Sequence, residues 1–272
     1  MKIGVLSDIH IDGNAEMLSE GQKYVEIVAE RARLEKVELL LIAGDISNDY
    51  ITSLTFLHGL EEACACKVLF VPGNHDYWSK ENGITDTKLI YEKFKKDSTS
   101  ILENPYIVND EWAVVGNSGW YDHSFGDSKF SKEEFAQMTY KERTWQDHYF
   151  VDWQMTNPEA HRWFYDKIEK DLQAVEGKNI ILMTHIVTHP EFIVPMPNEM
   201  FEYFNAFIGS DEYDDLYRKY NIKVSVMGHV HYRKSLELND ITYICACLGN
   251  SNEWRTSDPV KELEASFVTL TI

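Results

Sequence analysis

A layered α/β sandwich is the fold class this sequence predicts, and three observations predict it. Short apolar runs alternate with helix-spaced stretches over residues 3–71, the same alternation returns after residue 158, and the last apolar runs follow one another without helices between them. With 272 residues and 44% hydrophobic content, the chain can bury one sizeable core or two modest ones, which excludes disordered and fibrous classes.

Residues 3–6 form an apolar run of strand length, 20–34 carry helical spacing, 37–43 are a second strand, 54–65 a second helix and 67–71 a third strand. Strand-helix-strand-helix-strand implies parallel pairing in a sheet covered on both faces. After a strand at 112–116, a helix is predicted at 158–175, a strand at 180–183, a short helix at 212–220 and a strand at 224–227. The runs at 235–238, 242–247 and 266–271 lack intervening helices, which points to antiparallel pairing late in the chain. Two stretches interrupt the pattern. Residues 117–157 are polar but rich in aromatics, including Trp120, Tyr121, Trp145, Tyr149, Phe150 and Trp153, and 186–209 hold three prolines and five aromatic rings. A connection as long as 117–157 inside a domain is usually functional or builds elements of its own.

Composition excludes some functions. Against 45 Asp and Glu stand 26 Lys and Arg, a net charge of −19 that repels duplex DNA and acidic membrane surfaces. Polar residues interrupt every apolar stretch well short of a membrane span, and residues 1–8 do not read as a secretory signal, so a cytoplasmic protein is expected. The four cysteines form two Cys-x-Cys pairs, Cys64/Cys66 and Cys245/Cys247, in or beside apolar runs. They read as small buried side chains in a reducing compartment rather than as zinc ligands.

Five polar clusters stand where apolar runs stop: Asp8-Ile9-His10, Gly44-Asp45, Gly73-Asn74-His75-Asp76, Thr184-His185 and Gly228-His229-Val230-His231. The carboxyl ends of parallel strands share one edge of a sheet, so these clusters should converge. A single histidine after a strand usually caps or packs. Five clusters in register would place uncompensated charge at a buried edge unless something there balanced it. Asp8, His10, Asp45, Asn74, His185, His229 and His231 offer seven oxygen or nitrogen donors, too many for one tetrahedral zinc, whereas two ions sharing one carboxylate would use them all. That donor set suits Mn, Fe or Zn and not Ca. The glycines ahead of Asp45, Asn74 and His229 would let the backbone turn sharply and approach the ions.

In this series, D-x-H, G-D, G-N-H-[DE], H and G-H-x-H in order from Asp8 to His231, the sequence resembles the calcineurin-like metallophosphoesterase family. The resemblance implies an α/β/β/α metallophosphoesterase-type sandwich spanning 1–272, with 117–157 as an inserted aromatic cap. It places one ion on Asp8, His10, Asp45 and His231 and the other on Asp45, Asn74, His185 and His229, with Mn or Fe favoured. His75 matches the family's non-ligand histidine on the leaving-group side, with Asp76 its neighbour in the motif. The implied activity is hydrolysis of a phosphodiester or small organic phosphate by in-line attack of a hydroxide bridging the two ions. The chain departs from protein Ser/Thr phosphatases, since Asp45 is followed by Ile46-Ser47-Asn48-Asp49 and the third block ends in Asp76. It departs from purple acid phosphatases by having Asn48 where they place a metal-bound tyrosine. The bacterial phosphodiesterase-like branch fits best.

Arg143, Arg233 and Arg255 are expected phosphate clamps, with Arg233 preferred because it follows His231. Trp120 and Tyr121 are expected walls of the cap over the site, although the rings of 117–157 also suit a satellite core. His58, His123, His148, His161 and His189 read as structural or solvent-facing. A non-catalytic metal-binding scaffold and a nuclease for short nucleic acid are the alternative functions; retention of His75 opposes the first and the net charge opposes an extended groove for the second.

Overall fold

The computed structural model describes residues 1–79 and 86–272. Its first sheet is built from β1 (Lys2–Leu6), β2 (Leu39–Ile42) and β3 (Lys67–Phe70), linked by helices α1 (Tyr24–Leu34) and α2 (Tyr50–Cys64). All three strands are parallel, in register Ile3 to Leu39 and Leu39 to Lys67, as β-α-β crossover connections give. Helix α2 starts where the Asp49 side chain accepts the Thr52 amide and ends with Ala65 in the left-handed conformation. Helix α3 (Thr87–Lys95) follows, and the short β4 (Tyr106–Ile107) turns back antiparallel onto β5 (Trp112–Asn117).

The stretch 117–157 folds into α4 (Lys132–Ala136), a small hairpin of β6 (Thr139–Tyr140) and β7 (Arg143–Thr144), and the single turn α5 (Asp147–Phe150). Helix α6 (Asn157–Ala174) opens with a capping box between Thr156 and Glu159 and leads into β8 (Asn179–Thr184). Then come α7 (Phe201–Phe204), α8 (Tyr213–Lys219), β9 (Ile222–Met227), β10 (Arg233–Leu238), β11 (Ile241–Ala246), α9 (Pro259–Ser266) and β12 (Val268–Thr271). The second sheet has the order β10-β11-β9-β8-β5-β4 and the first the order β12-β1-β2-β3. The late strands therefore divide. β10 and β11 pair antiparallel as expected, but β11 runs parallel to β9, and β12 crosses to the first sheet to pair antiparallel with β1.

Period-two alternation makes the layers. Val114, Ile181, Met183, Val224, Val226 and Ile244 belong to the core shared with the first sheet. Their neighbours Ala113, Val115, Ile180, Leu182, Tyr243 and Cys245 face Ile168 and Leu172 of α6 and Tyr213 and Leu216 of α8. The α/β/β/α sandwich follows, with the carboxyl ends of β1, β2, β3, β8 and β9 at one edge. The two stretches outside the layer pattern pack on each other: Tyr203 touches Phe130, Phe135 and Tyr140, and Phe207 touches Trp145. Among the described residues no helix is long and apolar enough to cross a membrane. All four cysteines are buried free thiols.

Candidate metal centre

At three of the five strand ends, those of β1, β2 and β9, the chain delivers its donors through an unusual backbone conformation. Asp8, His10, Asp45, His229 and His231 have φ of 51°, 46°, 53°, 72° and 54°. Left-handed non-glycine residues of this kind cost of order 1–3 kcal/mol each and persist only where the surroundings hold them. Here the surroundings are backbone hydrogen bonds: Asp8 donates to Gly44 and accepts from Gly249, and His10 donates to Asp45. Of the glycines ahead of donors, Gly44 takes a positive φ of 86°, whereas Gly73 and Gly228 have ordinary dihedrals and are needed for space. A Cβ on Gly73 would overlap the Asp45 carboxylate, and one on Gly228 would sit 2.6 Å from Asp8 Oδ2.

The structure brings all seven predicted donors together in two adjoining clusters. Asp8 Oδ1 lies 3.5 Å and His10 Nε2 3.2 Å from His231 Nε2. Asn74 Oδ1 lies 2.9 Å from His229 Nδ1 and 3.0 Å from His185 Nε2, and the two histidine nitrogens are 3.1 Å apart. Asp45 Oδ2 joins the groups, 3.3 Å from His185 Nε2 and 3.9 Å from His10 Nε2. Donors about 2.1 Å from one ion stand roughly 3.0–3.4 Å apart in octahedral or tetrahedral arrangement, so these separations suit shared cations. The far nitrogens agree. His185 Nδ1 donates to the Ala43 carbonyl at 2.8 Å, His229 Nε2 donates to the Phe207 carbonyl at 3.1 Å, and His231 Nδ1 meets Glu253 Oε2 at 2.6 Å. Each ring thus turns its other nitrogen into the cluster, the pattern of a metal-ligating histidine.

Burial would raise the Asp45 carboxyl, but His185, His75 and His10 around it hold it well below the usual range. The opposite balance applies to His185, which burial would lower and which Asp45 lifts to about 10, so a cation entering here displaces a proton. Burial pushes His75 well below its ordinary value, against Asp45, and the negative charge of a bound phosphate acts in the same direction as Asp45.

His75 sits at the rim with its Nδ1 2.7 Å from Asn48 Oδ1, its amide donating to Asp45 Oδ1 at 2.8 Å and its ring stacked on Trp78 at 3.6 Å between centroids. Asp76 does not orient it. The Asp76 carboxylate accepts the amides of Asp45 and Gly73, both at 2.8 Å, and the Ser53 hydroxyl at 2.6 Å, which fixes the loops that carry Asp45 and Asn74. Adjacency in the motif does not decide this, and the one-turn 3₁₀ helix His75–Tyr77 sends the two side chains apart.

Sequence reasoning also missed Asp147, a buried carboxylate in α5. Its Oδ1 accepts Asn74 Nδ2 at 2.9 Å and Trp78 Nε1 at 2.7 Å, and its Oδ2 accepts Trp145 Nε1 at 2.9 Å and the Tyr121 hydroxyl at 3.2 Å. Burial raises its carboxyl while the Asn74 and tryptophan hydrogen bonds pull it back. An isolated aspartate in a polar stretch carries no motif, and only the fold shows that it faces Asn74.

The guanidinium of Arg233 is already engaged, by Glu262 at 2.6 Å and by the carbonyls of Cys247 and Leu248, so it is not free to clamp phosphate. Arg255 shares a small cavity of about 210 Å³ with His231, and among the described residues it has no hydrogen bond or ion pair. Arg143 lies in the β6–β7 hairpin. Trp120 and Tyr121 are buried and stacked on each other, and both line a cavity of about 740 Å³ inside 120–158. The remaining histidines are structural or solvent-facing: His58 pairs with Asp97, His161 with Glu212 and the Trp120 carbonyl, His189 caps the Glu191 amide, His148 is exposed, and His123 stands 3.4 Å from the Asn157 amide.

Comparison with known proteins agrees with the geometry. A phosphopantetheinyl hydrolase (PptH) from Mycobacterium tuberculosis, named as an acyl-carrier-protein phosphodiesterase, is 22% identical over 235 residues, which cover 81% of this chain and 71% of that protein. Its crystal structure superposes with a TM-score of 0.72 at 20% identity, covering 93% of this chain and 91% of the other. A dimetal phosphatase from Danio rerio has a TM-score of 0.52 at 13% identity, covering 90% of this chain and 86% of its own. The sequence profile of the calcineurin-like phosphoesterases matches residues 1–233, a span that takes in every donor from Asp8 to His231. On that match the chain belongs to the calcineurin-like phosphoesterase family, whose members are hydrolases of phosphate esters.

Proposed function

We propose that this chain is a dimetal phosphodiesterase whose substrate is a phosphopantetheinyl diester on a carrier protein, the class named for the mycobacterial relative. The observation that carries the catalytic reading is Asp45, one carboxylate within 3.3 Å of a donor in one cluster and 3.9 Å of a donor in the other. Asp8, His10, Asp45 and His231 would hold one ion, and Asp45, Asn74, His185 and His229 the other. Mn or Fe is favoured and Zn possible on this mixed imidazole, carboxylate and amide set. Ions there would supply an acidic water and screen charge on the phosphoryl oxygens.

The chain's own residues do the rest. Asp76 and Asp147 hold the loops and the Asn74 amide in place. Asn48 Oδ1 accepts the Nδ1 proton of His75, which leaves Nε2 to meet the leaving oxygen; with the ring in its imidazolium form, favoured by Asp45 and by the charge of a bound phosphate, Nε2 gives its proton to that oxygen and the ring ends neutral. Arg255, beside His231 and without an ion pair among the described residues, takes the role first expected of Arg233, meeting an anionic group of the substrate or its carrier. Residues 117–157 act as a cap on a single unit spanning 1–272, and four buried thiols suit a reducing cytoplasm. A net charge of −19 disfavours an extended nucleic-acid substrate.

The test is incubation of the Mn²⁺-loaded protein with a phosphopantetheinylated carrier protein, followed by intact-mass measurement. Loss of the arm, with none when Asp45→Asn protein is used, is the expected result. Turnover of chromogenic monoesters but of no diester would reject the phosphodiesterase reading.

A further inference from the structure

The two Cys-x-Cys pairs, alike in sequence, are unlike in the structure. Cys245 and Cys247, at the end of β11, are 0% exposed and stand 3.4 Å apart at sulfur. Cys64 and Cys66 straddle the junction where α2 gives way to β3. Ala65 between them takes a left-handed φ of 55°, and that turn brings the two sulfurs to 2.7 Å. These residues are 5% and 9% exposed around an exposed Ala65, and their thiols are only partly enclosed by protein, whereas the Cys247 thiol is wholly enclosed. The first pair therefore lies just beneath the surface, within reach of a molecule little larger than water.

The first pair is also unsymmetrical. The Cys66 amide donates to Cys64 Sγ at 3.4 Å, and hydrogen bonding from Cys66 pulls the Cys64 thiol down to about 7, against burial and Glu61. The same contact, together with burial, pushes the Cys66 thiol up. Glu61 is paired with Lys67 Nζ at 2.8 Å, which blunts its repulsion. One sulfur carries the thiolate and its neighbour keeps the proton, the arrangement of an attacking thiol beside a resolving one. A bridge enclosing a single residue removes little chain entropy, so as a permanent cross-link the pair would add little stability.

We infer that Cys64 and Cys66 form a reversible dithiol–disulfide couple closed by hydrogen peroxide, a modification site at the amino end of β3, opposite the metal centre. The Cys64 thiolate attacks one peroxide oxygen, the O–O bond breaks, hydroxide leaves and a sulfenic acid remains on Cys64. The Cys66 sulfur then attacks that sulfur, the S–S bond forms, and the hydroxyl departs as water with the Cys66 proton. The two thiols lose two electrons and the peroxide gains them. Closure needs little movement, since sulfurs 2.7 Å apart have only to approach to about 2.05 Å. An external thiol reverses it by exchange. The couple stands whether or not the chain hydrolyses a phosphodiester.

The experiment treats the Mn²⁺-loaded full chain with hydrogen peroxide under native conditions, alkylates the remaining thiols after denaturation, and reads intact and peptide masses. The wild type should lose two hydrogens and two of its four alkylatable thiols, both from the peptide bearing Cys64 and Cys66, and dithiothreitol should restore them. This pair should oxidise about tenfold or more faster than Cys245 and Cys247. Cys66→Ser, which keeps a hydrogen-bond donor beside Cys64, should yield a sulfenic acid on Cys64 that dimedone traps, and Cys64→Ser should leave Cys66 as a thiol. Survival of all four thiols, or equal rates in the two pairs, overturns the couple. So does first loss at Cys247, whose Sγ is 3.3 Å from Ser7 Oγ beside Asp8, because that would report oxidation spreading from the metal centre. A dimedone adduct on Cys66 in the Cys64→Ser protein, with none on Cys64 in the other variant, overturns the assigned order of attack.

Discussion

Asp147→Asn changes one atom and tests whether a carboxylate from the inserted segment governs the metal centre. The four donors divide as Asn74 and Trp78 on Oδ1, and Trp145 and Tyr121 on Oδ2. With the new NH₂ on the Oδ1 side, Asn74 Nδ2 and Trp78 Nε1, neither of which can accept, would both be orphaned. With it on the Oδ2 side, the Tyr121 hydroxyl can turn to accept and only Trp145 is orphaned, so the variant should adopt that orientation. One orphaned buried donor costs about 1–3 kcal/mol, and two charge-assisted bonds reduced to neutral ones cost about 1 kcal/mol each. Relief of the buried charge, which already raises the Asp147 carboxyl, offsets part of this, leaving a net loss of about 2 kcal/mol. That corresponds to a fall in Tm of roughly 4–8 °C. Asn74 keeps its acceptor but in weakened form, so the ion on the Asn74, His185 and His229 side should bind about 10–100-fold more weakly. Chelator competition read by elemental analysis, alongside thermal melts, measures both. A lower Tm with both ions retained at wild-type affinity would refute the positioning role and leave Asp147 as core alone.

Asp45→Asn should lose both ions together, read as metal per chain by elemental analysis; retention of one at full occupancy would show that the clusters do not share this carboxylate. His75→Ala should keep its metals and lose at least tenfold in kcat, with a larger loss for an alkyl diester than for a nitrophenyl one, and an equal loss on both would argue against proton donation. Asp171 in α6 is raised to about 6 by burial and by Glu103, and its Oδ2 has no partner. Its folded value lies above the unfolded 3.8, so the native state binds the extra proton between pH 3.8 and 6, and the penalty is absent below that window and complete above it. Asp171→Asn should therefore raise Tm by a few degrees at pH 8 and by less at pH 5, and an equal gain at both would discard burial of the charge as the cause.

The layers were legible because period two and period 3.6 are local signals, and α1, α2, α6 and the parallel strands follow them. Pairing partners were less so. β12 and β11 carry the same apolar pattern, and only tertiary packing sends one to β1 and the other to β9. All seven donors could be read because each ends an apolar run, a position that parallel topology turns into proximity. The partners of those donors could not. Asp147 and Glu253 reach Asn74 and His231, and Asn48 reaches the non-ligand His75, from a loop and single helical turns, where no periodicity fixes direction. Arg233 was favoured for its nearness in sequence to His231, yet β10 carries it to Glu262.

The division of donors between the sheets has a thermodynamic consequence. Asp8, His10, Asp45 and Asn74 follow strands of the first sheet, and His185, His229 and His231 follow strands of the second. Any cation held by both sets fastens one half of the molecule to the other, so mass action couples its binding to cooperative unfolding. Each ion at one hundred times its dissociation constant adds about 2.7 kcal/mol to the folded state. The population of intact sandwich then tracks cation supply, and scarcity would be felt as loosening of the seam between the sheets as well as lost turnover.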